Sequence, residues 1–597
     1  MAPSSCTSND RVGTQVAFFN GQQVSIPSLE SLTMVGLPNL EDIWTDESPL
    51  GLSSLQFLKE IFDLDGLGAD ANIETLSELN TIYIKRLPSL RCIWNKNPCG
   101  IVRFHNLKQL KVSDCKSLGF LFFPSMVQSL LQLRELEVAF PSLETLRIWC
   151  MNSIDIIWDN QVARESFRKL KSLSIYGCNK LVNIVPSYIL GRLKSLESLE
   201  VESCGSLEVV FKLQPLSPLD GHPIACFPLK KLELEGLSKL KHVWDKELHS
   251  QVQFQCLRSV TVSECESLTS LFPASIARDL TQLEELKIDE CGGIVELIEK
   301  DGLDPRDVFP KLASLELKRL PELKCVYTGT HALRWPALKI LKVDGCNKVE
   351  ILASQPENEM PLHEQPLFLI EKGAFSNLQE LKLDLYGGME IWHGHSHDGE
   401  SFCKVRVLEL HHFSKESAIS TCRLVRSLTN LQELVVRNSD IEELSDIVEA
   451  KEGPRHDLKA IPPFSRFFQH LKTLDVSFCD GLSKMFTPTI AGNLVELTKL
   501  RISKCKMLTE VICDDGGEEG LVVVFNQLKY MELDGLMGLR CFSSSKYALM
   551  FPLVEDVIVS GCPSMKFFSR GTNKYSKVGE SYDCRSKVYA TCPSFPS

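Results

Sequence analysis

Residues 110–115 read LKVSDC, and the same skeleton returns as LSIYGC from Leu173, LEVESC from Leu199 and LKIDEC from Leu286. Nine such phrases carry cysteine five residues after an aliphatic start, at Leu110, Leu173, Leu199, Val260, Leu286, Leu341, Leu474, Leu500 and Val557. A second form puts leucine where the cysteine stood, as in LELEGL from Leu232, LELKRL from Leu315 and MELDGL from Met531. Within each phrase apolar residues alternate with others, the two-residue period of a β-strand that buries one face. Leu110 and Val112 are therefore expected to point inward and Lys111 and Ser113 outward. Cys115 is expected to fill a small buried corner where the chain leaves the strand.

The phrases also keep a fixed step: 26 residues separate Leu110 from Leu136, Leu173 from Leu199, Val260 from Leu286 and Leu474 from Leu500. A period in the twenties carrying L-x-x-L-x-[LV]-x-x-[CL] is the leucine-rich repeat pattern, in which each coil adds one short strand to a parallel stack. About eighteen coils fit between Leu32 and Val557. The expected fold is thus an α/β leucine-rich repeat solenoid, a curved horseshoe with a concave parallel β-sheet and short helices or irregular segments on the convex side. Each coil buries aliphatic side chains worth roughly 1.5–3 kcal/mol apiece, but only against its neighbours, so no coil folds alone.

Between strand phrases the lead-ins repeat as well. Phe104, Phe167, Phe254, Phe468 and Phe525 precede their strands at matching distances, a spacing that allows an internal spine. The segments from Pro124, Pro186 and Pro273 combine proline, a small residue and apolar spacing of three to four, which predicts short helices. Trp44, Trp94, Trp158, Trp244, Tyr327 and Trp392 recur after apolar pairs, a pattern of coil-to-coil packing more than of an exposed aromatic ladder. Leu136 and Leu146 stand too close for a full coil, whereas Leu341 to Leu381 and Leu434 to Leu474 are each 40 residues apart and imply surface excursions. The expected organisation is a polar segment over 1–26, the repeat array over 27–568, and a cap or disordered tail over 569–597.

The chain has 597 residues, 44% of them hydrophobic and 24% charged, with a net charge of −12, which argues against a polyanionic partner such as nucleic acid. The first residues lack the features of a secretory signal, no apolar run is long enough to span a bilayer, and no asparagine stands in an N-x-[ST] acceptor. These features predict a cytoplasmic chain without a membrane span. The 22 cysteines are then expected as reduced, buried small side chains and not as disulfides or zinc ligands. No phosphate-binding loop, nucleophile elbow, zinc-protease helix or kinase catalytic loop occurs, so neither enzymatic activity nor a cofactor is expected. The run WHGHSHDGE, with His393, His395, His397 and Asp398, has metal-ligand chemistry but reads as a solvated loop, and no metal site is predicted.

The remaining functional surface is the outward face of the strands. Lys287, Asp289, Glu316, Lys318, Lys342, Asp344, Lys382 and Asp384 occupy outward positions of four phrases in chain order. Mixed charge on an extended sheet suits recognition of a protein ligand, whereas phosphate-backbone binding needs a net basic stripe.

The paired coils FHNLKQLKVSDCKSLGFLFFPSMVQSLLQLRELEV and FQCLRSVTVSECESLTSLFPASIARDLTQLEELKIDECGGIVELI, with the interleaved FPKLASLELKRLPELKCVY, resemble the C-terminal leucine-rich repeat region of plant coiled-coil nucleotide-binding disease resistance proteins. The resemblance runs from about Pro27 to Phe568. It implies recognition of a pathogen effector or a modified host protein, and restraint of a nucleotide-binding switch protein. The coiled coil and nucleotide domain of that family have no counterpart in these residues, so no ATPase function carries over. An alternative of a different class is the substrate-recognition subunit of a ubiquitin ligase, whose repeats can share this length and corner cysteine.

Overall fold

The computed structural model describes residues 29–36, 78–87, 90–94, 106–118, 142–158, 167–212, 226–245, 252–299, 308–327, 335–349, 375–386, 402–414, 422, 424–425, 427–447, 468–513, 522–544 and 547–569, together with isolated strands at 17–20, 60–63, 352–354, 368–370 and 587–591. They fall into two compact units, Met1–Leu280 and Thr281–Ser597.

In the first unit the repeat phrases form strands β1 (Ser31–Val35), β2 (Thr81–Lys85), β3 (Gln109–Ser113), β4 (Thr145–Trp149), β5 (Ser172–Tyr176), β6 (Ser198–Glu202), β7 (Lys231–Glu235) and β8 (Ser259–Ser263). Each pairs in parallel with the next, and the register sets aliphatic on aliphatic: Leu110 opposite Leu146, Leu146 opposite Leu173, Leu173 opposite Leu199, Leu199 opposite Leu232, and Leu232 opposite Val260. All of these side chains are fully buried. The ladder passes directly from Gln109–Ser113 to Thr145–Trp149. Leu136 lies outside the described residues.

The second unit continues the same design in β9 (Glu285–Asp289), β10 (Ser314–Lys318), β11 (Ile340–Asp344), β12 (Glu380–Asp384), β13 (Val407–His411), β14 (Glu433–Arg437), β15 (Thr473–Ser477), β16 (Lys499–Ser503), β17 (Tyr530–Asp534), β18 (Asp556–Ser560) and β19 (Lys587–Thr591). The two long intervals close back on the ladder, with Leu341 opposite Leu381 and Leu434 opposite Leu474. Their most polar stretches, 355–367 and 449–463, lie outside the described residues. Beyond the repeats, β19 adds a parallel rung to β18.

Two backbone devices join successive coils. Where a strand begins, two consecutive N–H groups donate to one carbonyl of the preceding coil, as Lys171 and Ser172 do to Glu144 O at 2.8 and 3.1 Å. Where it ends, a residue with positive φ turns its N–H onto the next coil, as Gly177 does to Glu202 O at 2.9 Å and Arg319 to Asp344 O at 2.7 Å. Glycine takes that position without steric cost, but Asp114, Ser203, Glu264, Glu290, Arg319, Phe478 and Lys504 also adopt it. The hydrogen bond gained across the coils offsets the strain of an L-residue there.

The cysteine follows immediately. All nine corner thiols donate to the carbonyl two residues back, from Cys115 to Ser113 O at 3.4 Å through Cys562 to Ser560 O at 3.3 Å. A small, weakly donating side chain thus closes the turn while remaining in the core.

The segments after Pro186 and Pro273 form short helices, Ser187–Leu190 and Ala274–Asp279, with the proline at the N-cap, where its missing N–H costs nothing. A third, Pro488–Asn493, begins at Thr487, whose hydroxyl accepts from Ile490 N. The segment at Pro124 lies outside the described residues. Inside the first unit, Phe211, Phe227, Trp244, Phe254 and Phe272 pack in edge and stacked pairs with centroids 5.1–6.2 Å apart. Trp158 is buried and donates its indole N–H to Ile184 O at 2.7 Å. The recurrent aromatics at 158, 244 and 327 are therefore core packing, as their spacing implied; Trp44 and Trp392, with Phe104, lie outside the described residues, and of Trp94 only the backbone is described.

Candidate interaction surface

Alternation along β9–β18 sets the first, third and fifth side chains on the face opposite the aliphatic core, where Ser314, Asp384, Val435, Ser477 and Ser503 are nonetheless buried. The parallel register aligns the third positions into a row: Lys287, Glu316, Lys342, Lys382, Glu409, Val435, Asp475, Arg501 and Glu532 stand opposite one another in succession. Asp289, Lys318 and Asp344 form a second row at the fifth positions. The four strands thus bring together seven of the eight residues singled out from sequence.

Asp384 corrects that expectation. It is buried, with 6% of its surface exposed, and its carboxylate is taken up by the fold. Its Oδ2 accepts from Gly345 N at 3.0 Å, while Oδ1 accepts from Tyr386 N at 3.2 Å and lies 2.7 Å from His412 Nδ1. After β12 the chain turns through Leu385, whose N–H bonds His411 O, and this buried carboxylate caps the exposed backbone donors.

Six of the other seven charges are paired. Lys342 lies 2.7 Å from Glu380 and 3.9 Å from Glu316, and Glu316 also accepts from Lys318 at 3.0 Å. Lys382 bonds Asp344 at 2.9 Å and approaches Glu409 at 3.6 Å. Arg319 clasps Asp289 in a bidentate pair at 2.9 and 2.7 Å. The chain of contacts continues through Arg437, Asp475 and Arg501 to Glu532. Burial works against ionisation at Glu316 and Asp344, yet the neighbouring lysines hold both carboxyls below the usual range. The row is self-neutralising, and a ligand reaching it must exchange ion pairs rather than meet bare charge.

The corresponding rows in the first unit are ordered differently. The third positions are Tyr83, Lys111, Arg147, Ser174, Glu200, Glu233 and Thr261, and the fifth are Lys85, Ser113, Trp149, Tyr176, Glu202, Glu235 and Ser263. Like charges face each other in register: Lys111 with Arg147, Glu200 with Glu233, Glu202 with Glu235. Trp149 and Tyr176 are 37% and 40% exposed. Ser113, expected outward, is buried opposite Trp149. Writing out the third and fifth residues of successive phrases reveals this segregation, but only once the rung after Leu110 is known to be Leu146.

His393, His395, His397 and Asp398 lie outside the described residues. Among the described residues no group of three or more His, Cys, Asp or Glu side chains is placed to hold a metal ion. Burial pushes the Cys115 thiol up to about 11 and the Cys346 thiol up to about 12, which keeps both protonated at neutral pH. Not every cysteine follows the repeat phase: Cys226 is exposed, Cys256 is half-buried, and their Sγ atoms are 3.4 Å apart. Also among the described residues, no helix is long and apolar enough to cross a membrane.

Parallel coils of this length, one aliphatic strand and one closed corner apiece, define a leucine-rich repeat solenoid. The profile of the family "Plant disease resistance protein RPS2-like, leucine-rich repeats" matches residues 48–140, 142–292, 377–459 and 455–570, and the chain belongs to that family. Two probable disease resistance proteins of Arabidopsis thaliana are similar: At5g63020, 27% identical over 34% of this chain, and At4g27220, 30% identical over 26% of it. The matched regions span 22% and 16% of those relatives' own lengths. Among solved structures, the Leptospira interrogans LRR protein LIC12759 shares 16% identity with a TM-score of 0.23, covering 64% of this chain and 92% of its own. The mouse RP105/MD-1 complex shares 12% with a TM-score of 0.27, covering 85% and 79%.

Proposed function

We propose that this chain is a non-enzymatic protein-recognition module of plant defence, acting in the cytoplasm. It senses a pathogen effector or a modified host protein through the outward face of its strand ladder, and it restrains a nucleotide-binding switch protein. The observation that carries this reading is the match to the plant disease resistance repeat family, which extends over most of the coils. The two similar Arabidopsis thaliana proteins, both probable disease resistance proteins, favour this reading over a ubiquitin-ligase subunit. In the second unit the face offered to the ligand comprises Lys287, Asp289, Glu316, Lys318, Lys342, Asp344 and Lys382. Sensing on such a surface requires that the ligand bind one state of the restrained switch more tightly than the other.

The test is complementation. Plants lacking the chain should lose a defence response that the wild-type chain restores. A variant with Lys287, Lys318 and Lys342 changed to glutamine should restore it weakly while unfolding within about 1 kcal/mol of wild type, as partly exposed ion pairs allow. Full rescue by the triple variant would move recognition off these strands. An unchanged response in plants lacking the chain would sink the defence role.

A further inference from the structure

We infer that the outward face of β3–β7 is the docking surface for a protein segment built as an acidic block, an aromatic or apolar anchor and a basic block, lying across the strands. The inference rests on the reading that this ladder recognises protein, and it places the primary contact in the first unit.

Three observations on one sheet face carry it. First, charge is segregated: Lys111 and Arg147 occupy adjacent strands at one end, and Glu200, Glu202, Glu233 and Glu235 occupy adjacent strands at the other. With strands about 4.8 Å apart, the basic pair and the nearest acidic residue are separated by roughly two strand steps, a span one short peptide segment bridges. Second, these charges are under-compensated from within. Lys231 bonds Glu233 at 2.8 Å and Ser174 donates to Glu200 at 2.9 Å, but among the described residues no cation pairs with Glu202 or Glu235 and no carboxylate with Lys111 or Arg147. Burial, reinforced by Glu235 and Glu264, pushes the Glu202 carboxyl above its ordinary range. The second unit, built from the same repeat, mixes signs along its central row, where Lys342 opposite Lys382 is the one neighbouring pair of like charge among the described strands, and most of its charges are paired, so segregation is not imposed by the fold. Third, Trp149 and Tyr176 lie on neighbouring strands at the junction of the two charge blocks, opposite each other in register and exposed. Aromatics in that setting serve as anchors, and rigid side chains cost little entropy to hold.

A partner covering this face brings carboxylates to Lys111 and Arg147 and cations to Glu202 and Glu235. Each like-charge pair then becomes part of an alternating set, which sets orientation and register as well as attraction. A uniformly basic segment, by contrast, meets repulsion at the Lys111 end.

The experiment uses the full chain and two fluorescent synthetic peptides of identical composition. One carries an acidic block, a central tryptophan and a basic block; the other has the same residues with the charges alternating. Fluorescence anisotropy at low salt should show the block peptide binding about tenfold tighter, with the advantage shrinking as salt rises. Glu202→Gln with Glu235→Gln, and separately Trp149→Ala, should each remove most of that advantage, whereas Lys342→Gln should leave it unchanged. The inference is overturned if the two peptides bind alike, if the block peptide does not bind, or if the first-unit variants bind it as wild type does. Should Lys342→Gln alone weaken binding, recognition by the strand face would stand with its site in the second unit. Peptide binding insensitive to every variant would count against the strand face altogether.

Discussion

Glu409 is the residue on which the second unit's charge network converges, and its replacement by glutamine has a calculable signature. One oxygen, Oε1, lies 2.7 Å from His411 Nε2, 3.6 Å from Lys382 Nζ and 3.8 Å from Arg437 Nε. The His411 bond, followed by the charges of Lys382, His411 and Arg437, outweighs burial and holds this carboxyl down from 4.5 to about 2. At about 1.36 kcal/mol per pH unit, that displacement corresponds to at most roughly 3 kcal/mol. Screening of the partly exposed side chains reduces it to roughly 1–2 kcal/mol. Because the folded carboxyl titrates below its unfolded value, this stabilisation is complete above about 4.5 and is lost as pH falls through about 2. Glutamine does not titrate, so the deficit of Glu409→Gln should shrink on acidification through that range. In a long repeat array unfolding need not be two-state, so the readout should be local. Hydrogen exchange of Glu380–Asp384, Val407–His411 and Glu433–Arg437 should accelerate about five- to thirtyfold in the variant at pH 7, with the ratio to wild type falling towards unity near pH 2. An equal ratio at both pH values would mean the side chain acts through packing, and no acceleration at pH 7 would refute the network's contribution.

Two further outcomes test the backbone turn and the surface thiols. Gly345→Ala should destabilise by roughly 1–2 kcal/mol and Gly236→Ala by about 1, because both have φ near +65° but an added Cβ at 345 meets Arg319 Cα and N at 3.3 Å, whereas at 236 the nearest atom is Ser203 Oγ at 3.4 Å; thermal unfolding that ranks them in the opposite order would contradict the turn geometry. Cys226 and Cys256 should be the first pair to crosslink under mild peroxide, faster at pH 9 than at pH 7 because burial and their mutual contact raise the Cys226 thiol, and peptide mapping that finds corner cysteines crosslinked first would refute this.

The rungs of the ladder were legible because each is specified locally: an aliphatic pair two apart followed by a small corner residue needs no knowledge of neighbours. What depends on register was not. Leu136 and Leu146 both head plausible phrases, and only pairing with Gln109–Ser113 selects the second. The left-handed turn residue is equally hidden, since Arg319, Phe478 and Lys504 do not announce positive φ, and only the donor-to-carbonyl bond across coils holds them there. Asp384 fits the outward alternation of LKLDL, but alternation cannot reveal that the turn after β12 leaves backbone donors for a carboxylate to cap.

The same alternation that made the fold readable conceals how unequal the outward positions are. Opposite charges facing across neighbouring strands contribute roughly 0.2–1 kcal/mol each, and like charges oppose folding by similar amounts. In the second unit, Lys342 with Glu316 and Arg501 with Asp475 and Glu532 place the row on the favourable side. A ligand must displace those contacts before it gains from its own. In the first unit, Glu202 opposite Glu235 and Lys111 opposite Arg147 place the row on the unfavourable side, and a complementary segment relieves repulsion as it forms contacts. Two stretches of one repeat, with identical strand geometry, therefore respond oppositely to the loss of a charge: neutralising Glu235 should leave the free chain as stable or more so while weakening peptide binding, whereas neutralising Glu409 destabilises the chain itself.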